Sequence, residues 1–142
     1  IRISQINYSL AHSSVETFGD NTLVCMDTKE FRWYKKHDFP VMAFSPQAKG
    51  FFAKLAKGDA ANNLPEGQYA GPANLARLAK VKQLSEQTGD TPAKITLGYL
   101  NSQPFFVSSV FAVTKLWQLD EDMEAQDLTY DPKTVAFLEN MI

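Results

Sequence analysis

Three short apolar runs, each followed by longer stretches of helical periodicity, limit what this chain can fold into. In the first, Ile1, Ile3 and Gln5 alternate with Arg2, Ser4 and Ile6, and the β-branched content favours a strand over a helical turn. The second is Val41-Met42-Ala43-Phe44, stopped by Ser45-Pro46, the pattern of a strand buried on both faces. Phe105, Phe106, Val107, Val110 and Phe111, with Ser108 and Ser109 between them, form the third.

The intervening segments read as helices. Asp27 or Thr28 can cap one that runs through Phe31, Tyr34 and Lys35 to about His37, with Lys35 and Lys36 in the last turn where the helix dipole favours cations. Leu75, Leu78, Val81 and Leu84 mark another, with Pro72 suited to its first turn and Gly89 to its C-terminal cap. Thr91-Pro92 restarts a helix through Ile95, Leu97, Tyr99 and Leu100. Leu116, Leu119 and Met123 predict an amphipathic helix, and Asp131-Pro132 opens a last one through Val135 and Leu138. Residues 11–26 read as a long loop with a short helical piece, and residues 58–71 as a mobile surface loop. This order predicts an α/β fold of parallel strands joined by crossover helices. Three such strands fit either a small open sheet or successive units of a larger barrel.

Composition narrows the function classes. A net charge of -2 without a cluster of Lys or Arg gives no electrostatic reason to expect nucleic acid or an anionic membrane surface. Cys25 is the only cysteine, which rules out an internal disulfide, a CxxC redox pair and a thiolate metal cluster, and fits a reducing cytoplasmic setting. No apolar run approaches the roughly 18–20 residues that span a bilayer. The 142 residues read as one domain or fragment, and the opening at Ile1 directly into an apolar alternation reads as the interior of a longer chain.

Several stretches, in order, resemble the aldo-keto reductase family. They are Gln5-Ile6-Asn7-Tyr8-Ser9-Leu10, the segment 31–52 with Pro40-Val41-Met42-Ala43-Phe44-Ser45-Pro46, and Thr91-Pro92-Ala93 with Leu97, Gly98, Tyr99 and Leu100. The ending, Asp127-Leu128-Thr129 followed by Phe137-Leu138-Glu139, matches as well. The resemblance implies parallel βα units from a (β/α)8 TIM barrel, incomplete in this chain, with the three runs standing as strands six to eight. It also implies NADP as cofactor and small carbonyl compounds as substrates of the parent enzyme.

The resemblance assigns roles to individual residues. Gln5 would hold the nicotinamide carboxamide, since an amide side chain donates and accepts at once, and Phe44 would lie flat against the nicotinamide ring. Read without the family, Gln5 is a polar strand-end residue and Phe44 a core aromatic. Ser45, Gln47 and Gly50 would wrap the pyrophosphate through hydroxyl and backbone N–H groups, where small residues let the backbone approach. Gln118, Glu121 and Asp122 would face the adenosine end.

Departures from the family pattern cluster after the third run. Ala112-Val113-Thr114 stands where Gly-x-Arg is common, so a bidentate phosphate partner is lost and Lys115 compensates only as a point charge. Asp122 replaces the usual Asn, Trp117 replaces an acidic residue, and Ser108-Ser109 replaces an apolar-Pro pair. The family's catalytic Asp, Tyr, Lys and His belong to its first four strands, so no catalytic residue is expected here. His12 and His37 read as ordinary surface or capping histidines. Two functions follow: the cofactor-side portion of a carbonyl reductase, or a degenerate, non-catalytic α/β domain kept for binding or assembly, possible self-association through unpaired sheet edges included.

Overall fold

The computed structural model describes residues 2–58 and 69–139. Its centre is a parallel sheet of three strands in the order β1 (Ser4–Asn7), β2 (Val41–Phe44) and β3 (Val107–Val110). Register pairs Ile6 with Ala43 and Ala43 with Ser109, so the strands lie side by side without offset. The first and third strands are shorter than their apolar runs: β1 begins at Ser4, and Phe105 turns into the core before β3 begins.

Parallel strands need crossovers: α1 (Val15–Phe18) and α2 (Thr28–His37) join β1 to β2, and α3 (Phe51–Ala56), α4 (Pro72–Thr88) and α5 (Pro92–Asn101) join β2 to β3, while α6 (Leu116–Glu124) and α7 (Pro132–Glu139) follow β3. Their ends follow local chemistry. The Asp27 carboxylate accepts from the Glu30 N–H to open α2, Thr91 Oγ1 accepts from the Lys94 N–H to open α5, and Gly89 closes α4 at φ 80°. Gly98 within α5 marks a close approach, because a Cβ there would lie 2.8 Å from the Tyr130 ring and 2.9 Å from Leu128.

Alternation along the strands gives the sheet two unlike faces. Ile6, Val41 and Ala43 point to one, which is buried in a core with Tyr34, Phe51, Phe52, Val81, Ile95, Leu100 and Phe105. Gln5, Met42, Phe44, Ser108 and Val110 occupy the other, none of them fully buried, and Phe106 just before β3 is 63% exposed. Val41–Phe44 is therefore buried on one face rather than two. The C-terminal end of β1 is the covered part of that open face: Asn7 is buried, bonds Phe44 O through Nδ2 and Ser13 Oγ through Oδ1, and pairs on its outer edge with the segment around Cys25.

Two helical stripes differ from expectation. In α4 the buried positions are Asn74, Arg77, Val81 and Leu84, while Leu75 is exposed. Polar residues can occupy this inner face because they are hydrogen-bonded: Asn74 Nδ2 donates to His12 O at 2.7 Å and to Tyr69 O at 3.0 Å, and Arg77 donates to Asn74 Oδ1 at 2.9 Å. In α6 the apolar residues Leu116, Leu119 and Met123 are exposed and Asp122 is the buried residue. The helix thus turns its carboxylate inward, toward the β2–α3 connection described below. Most of the 58–71 loop, residues 59–68, lies outside the described residues, and Tyr69 at its far end is fully buried.

Candidate cofactor cleft

A cleft of about 740 Å³ opens at the C-terminal ends of β2 and β3, between the connection that leads into α3 and the one that leads into α6. The carboxyl ends of neighbouring parallel strands are where α/β folds bind ligands, since the loops part there. Ser45, Gln47, Gly50, Gln118, Glu121 and Asp122 all line it. Gln5 and Phe44 do not. They sit on the open face of the sheet, where Gln5 pairs in register with Met42, and Phe44 packs edge-on against Phe18 at 6.5 Å.

The wall after β2 is conformationally unusual. Ser45 (φ 51°), Ala48 (φ 49°), Lys49 (φ 56°) and Gly50 (φ 79°) are all left-handed, and only one of them is glycine. Non-glycine residues in this region cost on the order of 1–3 kcal/mol each, and such strain persists where the surroundings enforce it, commonly at ligand sites. The Ala48 N–H donates to Ser45 O and the Gly50 N–H to Gln47 O, both at 2.9 Å, which coils the segment into a tight turn. Buried Ala48, Phe51, Phe52 and Leu55 hold that turn from beneath.

The opposite wall is organised by Gln118. Its Oε1 accepts from the N–H of Thr114 at 3.1 Å, from Thr114 Oγ1 at 3.2 Å and from the N–H of Lys115 at 3.0 Å, so it satisfies the donors at the start of α6. The two walls meet where Gln47 Nε2 donates to Asp122 Oδ1 at 2.6 Å. The second Asp122 oxygen is buried without a partner among the described residues. Burial raises the Asp122 carboxyl above its ordinary range, the Gln47 bond opposes that rise, and Glu121 adds to it.

Lys49, Lys54 and Lys57 supply the cleft's cations, all from the β2 side, and Lys57 Nζ lies 5.1 Å from the centre of the Trp117 ring on the other wall. Sequence reading missed Lys54, Lys57 and α3 itself. A usable signal was present, since Phe51, Phe52 and Leu55 at spacings of one, three and four mark an apolar stripe with the lysines off it, masked by the Gly- and Asn-rich residues that follow. Among the described residues no group of His, Cys, Asp and Glu is arranged to hold a metal ion.

Residues 3–142 match the model of the aldo/keto reductase family, and the chain belongs to that family. Solved structures share its fold. One is a thermostable aldo-keto reductase in complex with the inhibitor epalrestat, with a TM-score of 0.62 and 14% identity. Others are aldo-keto reductases from Klebsiella pneumoniae, one in complex with NADP and acetate (TM-score 0.59, 16% identity) and one with NADPH (0.58, 17%). The matches cover 99%, 98% and 96% of this chain but only 39%, 38% and 38% of those proteins, so the chain spans well under half of their length. The three-stranded open sheet is accordingly an incomplete barrel of this family.

Asp122 yields a signed pH prediction. A carboxyl raised on folding is favoured in its neutral form, so it costs no stability below the unfolded value of about 3.9 and costs progressively more as pH rises through the folded value. Asp122→Asn keeps an acceptor for Gln47 and removes the charge. It is expected to raise Tm at pH 7, with the gain vanishing as pH falls toward 4. Thermal melts at both pH values check this, and a gain independent of pH would contradict it.

Proposed function

We propose that this chain is the C-terminal portion of an NADP-dependent aldo-keto reductase, an enzyme that reduces aldehydes and ketones to alcohols by hydride transfer, and that it forms one side of the cofactor site. The convergence of Ser45, Gln47, Gly50, Gln118, Glu121 and Asp122 on one cleft at the strand ends carries this reading. The residues fit such a group: a strained, tight backbone turn that can approach phosphates, lysines to balance their charge, and an unpartnered buried carboxylate oxygen to accept from an amino group of a base. Ser45, Gln47 and Gly50 would hold the pyrophosphate. Gln118, Glu121 and Asp122 would face the adenosine, and Gln5 and Phe44 the nicotinamide, on the adjoining open face.

When bound, the cofactor supplies the hydride; this chain orients it. Proton donation falls to residues elsewhere in the parent enzyme. Tyr8, Tyr99 and Tyr130 are each raised above the ordinary phenol range, first by burial, which makes them poor acids at neutral pH. A small carbonyl substrate, a cytoplasmic setting and no role in nucleic-acid binding belong to the same reading. No described helix is long and apolar enough to cross a membrane.

A specific observation favours a second reading, a degenerate non-catalytic domain kept for binding or assembly. Gln118 is spent on capping α6, Asp122 is tied to Gln47, and Thr114 carries no charge, so part of the adenosine end is engaged within the chain. Calorimetric titration with NADPH separates the two. The reductase reading expects saturable binding at micromolar concentration, and no binding by folded protein leaves only the second. The outer edge of β3, which pairs only with β2 among the described residues and has exposed Phe106 and Val110 beside it, further supports self-association. Sedimentation at micromolar concentration should show dimers or larger species, and a well-behaved monomer would contradict it.

A further inference from the structure

We propose that two copies of this chain join through the outer edge of β3, strand against antiparallel strand about a two-fold axis at Ser108, into a closed dimer with a continuous six-stranded sheet. This rests on the self-association reading above and gives it a partner and a geometry.

Among the described residues, only one edge of the sheet is free to pair along its length. The Ser4 N–H donates to Pro40 O and the Tyr8 N–H to Phe44 O, so the even-numbered residues of β1 bond β2, and Gln5 and Asn7 turn their backbone groups outward. Asn7 has already used both of its own: its N–H donates to Val24 O and its carbonyl accepts from the Met26 N–H, each at 2.8 Å. On the other side, Phe106 O accepts from the Val41 N–H at 2.9 Å, so residues 106, 108 and 110 bond β2. Val107 and Ser109 therefore point their N–H and C=O groups away from β2, where no described strand pairs with them. Head-to-tail growth from β3 onto β1 of another copy would find only Gln5 unpaired, which favours two-fold closure over a filament.

The β3 edge is complementary to itself. Sheet edges are commonly guarded by charges, proline or bulges, yet residues 105–113 carry neither a charge nor a proline. With Ser108 opposite its own copy, Val107 and Ser109 of one strand exchange hydrogen bonds with Ser109 and Val107 of the other. On the open face the same register sets Phe106, 63% exposed, opposite Val110, 39% exposed, once on each side of the axis. Aromatic and β-branched side chains that face each other across antiparallel strands stabilise the pair, as do facing serine hydroxyls. The next register that keeps the bonding would set Phe106 against Ala112 and Val110 against Ser108, and lose both apolar pairs. Because the strands run oppositely, the two cofactor clefts open at opposite ends of the joined sheet.

Sedimentation of the wild-type chain should show a single associated species at twice 15.9 kDa. In a Cys25→Ser background, Ser108→Cys should form a covalent dimer under mild oxidation, whereas Gln5→Cys on β1 should not. Facing Cα atoms of a non-hydrogen-bonded antiparallel pair lie about 4.5 Å apart, within the roughly 4.4–6.8 Å that a disulfide spans. Ser109→Pro removes an outward N–H, not one that bonds β2, so it should abolish the dimer and leave the circular dichroism of the chain unchanged. Phe106→Ser, at a side chain already exposed in one copy, should weaken dimerisation roughly tenfold through loss of two symmetry-related pairs. A dimer that forms without the Ser108→Cys cross-link and survives Ser109→Pro would overturn the β3 junction while leaving self-association standing. A ladder of larger species would overturn the closed two-fold, and a monomer at micromolar concentration would overturn both readings.

Discussion

Burial of Ile6, Val41 and Ala43 against the helices is the interaction on which the rest of the structure depends. It fixes the register of three parallel strands, because a shift of one residue would turn these side chains out and bring Gln5, Met42 and Phe44 in. With register fixed, the ends of β2 and β3 lie side by side, and their connections must part to form a cleft. The opposite face is left open by the same alternation. A parallel sheet ordinarily has both faces covered, and this one has the covering for one.

The cleft shows how a scaffold with a well-packed underside can carry strain above it. Phe51, Phe52 and Leu55 anchor α3 from below, and the turn at residues 45–50 takes up a run of left-handed conformations that an unsupported loop would not keep. Across from it, Asp122 turns inward from α6 to meet Gln47 and Lys57 rests over Trp117, so polar and cation–π contacts join the two walls. Polar joints of this kind exchange partners readily when a ligand arrives, whereas an apolar seam would have to be pried apart.

Much of this was legible in the residues, for identifiable reasons. Asp27, Thr91 and Gly89 act at helix ends through local geometry, which sequence reports directly, and Val41–Phe44 is bounded by its own turn signals. What failed was anything that depends on which neighbour is present. The exposure of Leu116, Leu119 and Met123, and the one-sided burial of β2, reflect surfaces without a partner among the described residues, and a hydrophobic stripe carries no record of whether its partner is there. Asn74 and Arg77 were invisible as inner positions of α4 because their burial depends on His12 and Tyr69, distant and near in sequence alike. Of the candidate site, the three residues on the β2–α3 connection and the three on α6 come together, while Gln5 and Phe44, read from the same resemblance, lie on the adjoining face.

The central claim is that the two connections form a dinucleotide site, and amide chemical-shift mapping during addition of NADPH tests it most directly. The account predicts that the largest perturbations fall on residues 44–51 and 113–122, with smaller ones at Gln5 and Met42 and none on α2 or α7. Perturbations centred away from these segments, or scattered without a focus, would contradict it.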